Sequence, residues 1–155
     1  AASRLAGIVT VLGHDAHRLR PLIEKLPTRI LVNPDHEGGL SRSVKMGFAA
    51  GMPADGVMMV PADMPLLDTA DIDALIAAFV PGTVVAATDR SAMRNPVILP
   101  ASMAAAVETL SGDTGARRLI RDYAPIRLVE LGATASCDID TVEAILSTGG
   151  HLPKG

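Results

Sequence analysis

Gly56-Val57-Met58-Met59-Val60-Pro61-Ala62-Asp63-Met64-Pro65 is the stretch on which the fold turns. Its uncharged run leads straight into a carboxylate set between prolines. An apolar run of this length between turn formers predicts a strand buried on both faces. A carboxylate at the exit of such a strand lies where open α/β sheets take their ligands, beyond the carboxyl ends of the strands. Pro65 fixes its own φ and biases Met64 toward an extended conformation, which stiffens the turn after Asp63. A stiffly held carboxylate suits a hard cation such as Mg²⁺. A second reading stands beside this one, in which Asp63 only caps a turn.

Outward from this strand the chain alternates. Residues 6–12 are short, uncharged and β-branched, and predict a strand ending at Gly13. Leu19, Leu22, Ile23 and Leu26 recur at helical spacing, with Pro21 expected in the first turn of that helix. Residues 29–32 predict a second strand, closed by Asn33-Pro34, and residues 35–40 a loop containing Gly38-Gly39. A helix is expected from Ser41 to about residue 50, capped by Ser41 or Ser43. After the strand at 57–60, Ile72, Leu75, Ile76 and Phe79 form one helical stripe. Strands are expected at 83–87, 96–99 and 126–131, with helices at 101–110, 114–123 and 141–146. This alternation predicts a three-layer α/β/α sandwich with a mostly parallel sheet.

Composition narrows the class. At 155 residues, 48% apolar and 20% charged, the chain is expected to be one globular domain. Its net charge of −3 gives no support to nucleic-acid binding through a basic surface, and fits an anionic membrane poorly. The single cysteine, Cys137, excludes an internal disulfide framework and a cysteine zinc cluster, and fits a reducing cytoplasm. His14, His17, His36 and His151 have no metal-binding spacing.

Three polar segments follow strands or open helices. Gly38-Gly39-Leu40-Ser41-Arg42-Ser43 offers close backbone approach and a helix N-terminus for a polar or anionic ligand, or is a loop with a serine cap. It is not a Walker loop, since the Gly-Lys-Ser/Thr ending is absent. Ala92-Met93-Arg94-Asn95-Pro96 goes with Ser111-Gly112-Asp113-Thr114-Gly115-Ala116-Arg117-Arg118, where Asp113 serves as a helix cap and the arginines face either a phosphate or water. Asp138 and Asp140 in Cys137-Asp138-Ile139-Asp140-Thr141 point to one side of an extended segment. Two such carboxylates hold a cation between them, or cap the final helix.

In this order and spacing, the segments resemble the MobA-like nucleotidyltransferase family, within it the molybdenum cofactor cytidylyltransferase branch. The matching pieces are Val11-Leu12-Gly13-His14-Asp15, Asn33-Pro34-Asp35 with residues 38–47, Pro61-Ala62-Asp63-Met64-Pro65, Asn95-Pro96-Val97, residues 112–117 and Asp138-Ile139-Asp140-Thr141. The resemblance implies a Rossmann-like, GT-A-type fold. It implies transfer of a nucleoside monophosphate, CMP foremost, from an NTP to a phosphorylated acceptor of molybdopterin type, with release of pyrophosphate. Asp63 and Asp138 would be the catalytic, Mg²⁺-holding residues, with Asp140 as a further metal ligand. Gly38, Gly39, Leu40, Ser41 and Ser43 would bind the nucleotide, CTP or GTP, and Asn95, Asp113 and Arg117 the acceptor. The implied setting is cytoplasmic, with transient contact to molybdoenzymes.

The chain departs from the family pattern in three places. The Leu-Ala-Ala-Gly-x-Ser-x-Arg-Met-Gly loop with its following Lys is absent, as though the chain began just after it, and without that loop little transfer is expected. Arg94 stands where Gly usually precedes Asn-Pro, and Val142 where Pro usually follows Asp-x-Asp-Thr. A guanylyltransferase of the same pathway and a non-catalytic nucleotide- or pterin-binding module are the alternatives.

Overall fold

A computed structural model describes residues 5–90, 92–113, 116–121, 123 and 125–136. Strands β1 (Val9–Leu12) and β2 (Arg29–Val32) form a parallel pair joined through helix α1 (Ala16–Ile23). Helix α2 (Leu40–Gly51) leads to β3 (Gly56–Met59), and α3 (Thr69–Ala78) leads to β4 (Val84–Asp89). Strand β5 (Ala92–Pro100) returns beside β4; α4 (Ala104–Glu108), α5 (Arg117–Arg121), β6 (Ile126–Glu130) and α6 (Ala133–Ser136) follow. The second sheet has the order β3-β5-β4-β6.

The side-chain period of two builds three layers. On β4, Val84 and Ala86 face a core shared with Phe48 of α2, Val107 of α4 and Ile120 of α5. Val85 and Ala87 face the opposite way, onto Leu75 of α3 and Ala135 of α6. Val97 and Leu99 of β5 join the first face and Ile98 the second, as strand alternation requires. Each fully buried aliphatic side chain of this kind contributes about 1.5–3 kcal/mol. The expected α/β/α sandwich is therefore present, with one refinement of its sheet. β4 and β6 run parallel, whereas β5 is antiparallel to both β3 and β4.

Several local expectations are corrected. β3 is half-buried along its whole length instead of buried on both faces, because β5 is its one ladder partner among the described residues. α2 packs over both β1 and β3, which do not pair with each other. A Cβ at Gly51 would come 2.8 Å from Val57 Cγ2, so the glycine lets the helix backbone lie close to β3. α1 starts earlier than expected, which leaves Pro21 inside the helix, and Leu22 of its apolar stripe is 74% exposed. The helix expected at 101–110 is a 3₁₀ turn, Ala101–Met103, followed by the short α4. The helix expected at 141–146 lies outside the described residues.

The helix expected from the Ile72, Leu75, Ile76 stripe is present as α3, and its start is fixed by a cap. Asp68 accepts from the Asp71 backbone N–H at 2.9 Å, and Asp71 accepts from that of Asp68 at 3.1 Å, a reciprocal capping box. No helix among the described residues is long and apolar enough to cross a membrane.

Candidate functional site

Three buried side-chain polar atoms have no hydrogen-bond partner among the described residues: Ser41 Oγ, Asp63 Oδ1 and Arg94 Nε. Buried polar groups are almost always satisfied, so each orphan calls for an explanation. All three lie in segments that the sequence marks as chemical, at the turns beyond β2, beyond β3 and at the start of β5.

The first segment is organised by Asn33, which is 2% exposed. Its backbone N–H donates to Leu12 O at 2.7 Å, joining the ends of β1 and β2. Its Nδ2 donates to Ser43 Oγ at 3.0 Å, and its Oδ1 accepts the Asp35 N–H at 3.0 Å. This last bond is the Asx turn expected of Asn before a tight loop. The side chain thus fixes the first turn of α2 against the strand ends. Arg42 Nε lies 3.3 Å from Asp35 Oδ2 across the exposed side of the same loop.

Gly39 then takes φ +93° and ψ 170°, a region that L side chains scarcely enter. A Cβ there would fall 2.4 Å from the carbonyl carbon and oxygen of Gly112 and 2.8 Å from the Asp113 nitrogen. Ser41 N–H donates to Gly112 O at 3.0 Å. The glycine loop and the Gly112-Asp113 loop are therefore clamped together, backbone against backbone. Ser41 is consequently not the helix cap. Gly39 holds that position without a side-chain cap, while Ser41 is buried in the first turn with its hydroxyl unpaired. Leu40 beside it is 54% exposed.

The second part of the site is built by the register of β5. Met59, the last residue of β3, pairs with Val97, so residues 94–96 extend past the end of β3 alongside the turn that carries Asp63. On β4, Ala86 pairs with Val97 but Ala87 pairs with Arg94, which leaves Asn95 and Pro96 as a bulge. Bulges re-aim side chains at the margins of sites. Asp63 follows the half-buried β3 in a turn anchored by buried Met64. On β4, two residues beyond Ala87, the partner of Arg94, Asp89 accepts from Ser136 Oγ.

Of the residues singled out from the sequence, Gly38, Gly39, Leu40, Ser41 and Ser43 share one loop and helix turn, and Asp113 joins them through the clamp. Asp63 follows β3, and Asn95 lies in the bulge of β5, the strand paired with it. Arg117 opens α5. Asp138, Asp140 and Cys137 lie outside the described residues. No group of three His, Cys, Asp or Glu able to hold a metal occurs among the described residues. His14 and His36, beyond β1 and β2, meet edge-to-face at 5.6 Å. Asn33 and Arg94 carry more of the site than sequence reasoning assigned them. The signal at Arg94 was a charged residue beside Asn-Pro in an otherwise apolar strand.

Residues 1–128 match the MobA-like NTP transferase domain family. The chain is 30% identical over 146 residues to nicotine blue oxidoreductase of Paenarthrobacter nicotinovorans, covering 88% of this chain and 72% of that protein. It is 34% identical over 89 residues to purine catabolism protein PucB of Bacillus subtilis (strain 168), 56% of this chain and 43% of that one. In fold it resembles Rv0371c from Mycobacterium tuberculosis H37Rv in complex with manganese, with TM-score 0.81, 19% identity, and coverage of 94% of this chain and 79% of that one. A nucleotidyl transferase from Methanothermobacter thermautotroptrophicus gives TM-score 0.79 at 16% identity over 93% of this chain and 72% of that one.

Proposed function

The chain belongs to the MobA-like NTP transferase family, which places it among the nucleotidyltransferases, and from that premise we propose that it moves CMP from CTP to a phosphorylated acceptor of molybdopterin type, releasing pyrophosphate. The observation that carries this is the set of three orphaned buried atoms, Ser41 Oγ, Asp63 Oδ1 and Arg94 Nε. A protein that had no ligand to place there would gain stability by removing them.

We assign residues 1–155 to one transferase domain and divide its edge into two sides. Ser41 and Ser43, held by Asn33, bind the nucleotide with the glycines at 38 and 39, while exposed Leu40 offers an apolar surface to the base. Asn95 orients the acceptor from the bulge, assisted by Asp113 and Arg117. A hard divalent cation fits Asp63, whose Oδ1 is a buried, unpaired oxygen donor. Asp63 and Asp138, with Asp140, would hold Mg²⁺. Bound there, Mg²⁺ supplies charge neutralisation to phosphate oxygens. An acceptor phosphate oxygen attacks the α-phosphorus of the NTP, the bond to the bridging oxygen breaks, and pyrophosphate leaves with that electron pair. The protein's own contribution is to hold the two substrates in line.

The test is pyrophosphate release by the protein, with whatever residues its gene encodes before Ala1, in the presence of Mg²⁺, molybdopterin, and CTP or GTP in turn. CTP is expected to react faster. Asp63→Asn is expected to lower turnover on the order of 100-fold or more, as for the loss of other charge-stabilising groups. Full activity in that variant would refute the assignment of Asp63. One observation favours a second reading, the 30% identity to a protein named as an oxidoreductase. Reduction of nicotine blue by a supplied electron donor, with no pyrophosphate from any NTP, would decide for it.

A further inference from the structure

Among the three orphaned atoms, Arg94 Nε is the one that belongs to a guanidinium. A guanidinium has donors and no acceptors, and stays protonated throughout the accessible pH range. Burying one of its N–H groups without an acceptor is costly, and the cost is recovered when an anionic oxygen arrives.

The surroundings of Arg94 indicate which anion. Arg94 pairs with Ala87, and paired residues share a face, so it lies on the side of the sheet covered by α3 and α6. Asp89 falls two residues further along that face, but its carboxylate accepts from Ser136 and lies 4.0 Å from Arg90 Nε. The acid nearest in register is thus engaged elsewhere, and Arg94 Nε remains open. The glycine loop follows β2 at the head of α2, Asp63 follows β3, and Arg94 lies in the part of β5 that extends past the end of β3.

We propose that Arg94 binds the phosphate of the acceptor substrate, and so selects phosphorylated over unphosphorylated acceptors. The identity of the anion rests on the transferase function proposed above; the anion site itself does not. Only a planar donor fork meets a phosphate bidentately, so lysine is a poor substitute.

Inorganic phosphate is the probe. Calorimetric titration of the chain with phosphate compares wild type with Arg94→Gln, Arg94→Lys and Arg94→Met, and each variant is also titrated with CTP and GTP in Mg²⁺. Arg94→Gln is expected to weaken phosphate binding at least about tenfold, with Arg94→Lys recovering part of it. Nucleotide affinity should change less than about twofold, since a rim of separate contacts holds the NTP. Arg94→Met should melt at the same temperature as wild type or higher, because it removes an unsatisfied buried donor; a merely structural arginine would do the opposite. Equal phosphate binding in wild type and Arg94→Gln overturns the proposal, and so does a parallel loss of nucleotide affinity, which would assign Arg94 to the triphosphate. In turnover with molybdopterin, Arg94→Gln should raise the acceptor KM and leave the NTP KM unchanged. Turnover with an unaltered acceptor KM refutes the anion site alone. Arg94-dependent phosphate binding without pyrophosphate release from any NTP supports the anion site and refutes the transferase function alone.

Discussion

Replacing Gly39 by alanine tests the clamp between the two loops. The new Cβ would stand 2.4 Å from the Gly112 carbonyl carbon, where carbon atoms need about 3.5 Å, so the loops must part by about 1 Å. Three costs combine. Holding a non-glycine residue at φ +93° and ψ 170° costs about 1–3 kcal/mol. Parting the loops breaks the 3.0 Å bond from Ser41 N–H to Gly112 O, a loss of about 0.5–1.5 kcal/mol. The buried amide left behind adds to that unless water reaches it. The expected total is about 2–4 kcal/mol, which for a chain of this size lowers Tm by about 4–16 °C.

Gly82→Ala is the internal control. Gly82 also has a left-handed φ, +82°, but nothing lies within 4 Å of its Cβ position. It should cost about 1–2 kcal/mol, the conformational share alone. Urea denaturation gives the two free energies, and hydrogen exchange at the Ser41 amide gives the local opening. If the loops yield locally, the global loss shrinks while Ser41 protection collapses. If Gly39→Ala is no more destabilised than Gly82→Ala and Ser41 exchanges as slowly as in wild type, the clamp does not exist.

Two more substitutions separate stability from binding. Ser41→Ala removes an unsatisfied buried hydroxyl from a helix, so the free protein should gain about 0.5–1 kcal/mol in urea melts while CTP affinity falls about three- to tenfold by calorimetry. Asp68→Ala breaks the reciprocal cap of α3 and should cost about 1–2 kcal/mol in the same melts, with no change in CTP affinity.

How much of the fold the residues announce depends on how local the deciding interaction is. β2 and α3 are legible because the apolar run Ile30-Leu31-Val32 and the helical stripe Ile72, Leu75 and Ile76 each carry their own cause. β5 is not. Its first half, Met93-Arg94-Asn95-Pro96, lacks strand-forming residues, and its antiparallel course depends on a hairpin through Arg90, which takes φ 50° without the glycine that usually marks such turns. The half-burial of β3 is illegible for a similar reason. Its apolar run specifies a strand wanting cover on both sides, but which strand lies beside it is decided by pairing far along the chain.

The site obeys the same rule, with an added twist. Ser41 reads as a cap because serine before a helix usually is one. Its amide is instead satisfied by Gly112, and Gly39 adopts a conformation that makes sense only against that distant backbone. Local sequence rules therefore fail where two loops must meet. They fail again at Ser41 Oγ, Asp63 Oδ1 and Arg94 Nε, where the folded chain leaves polar atoms unsatisfied at a cost that an apolar residue would avoid. A chain that is consistent elsewhere, with alternating core strands and a reciprocal helix cap, concentrates its violations in the segments that follow β2 and β3 and in the bulged first half of β5. Such a concentration is what a site for charged and polar substrates produces, because the partners that complete those atoms arrive with the ligand.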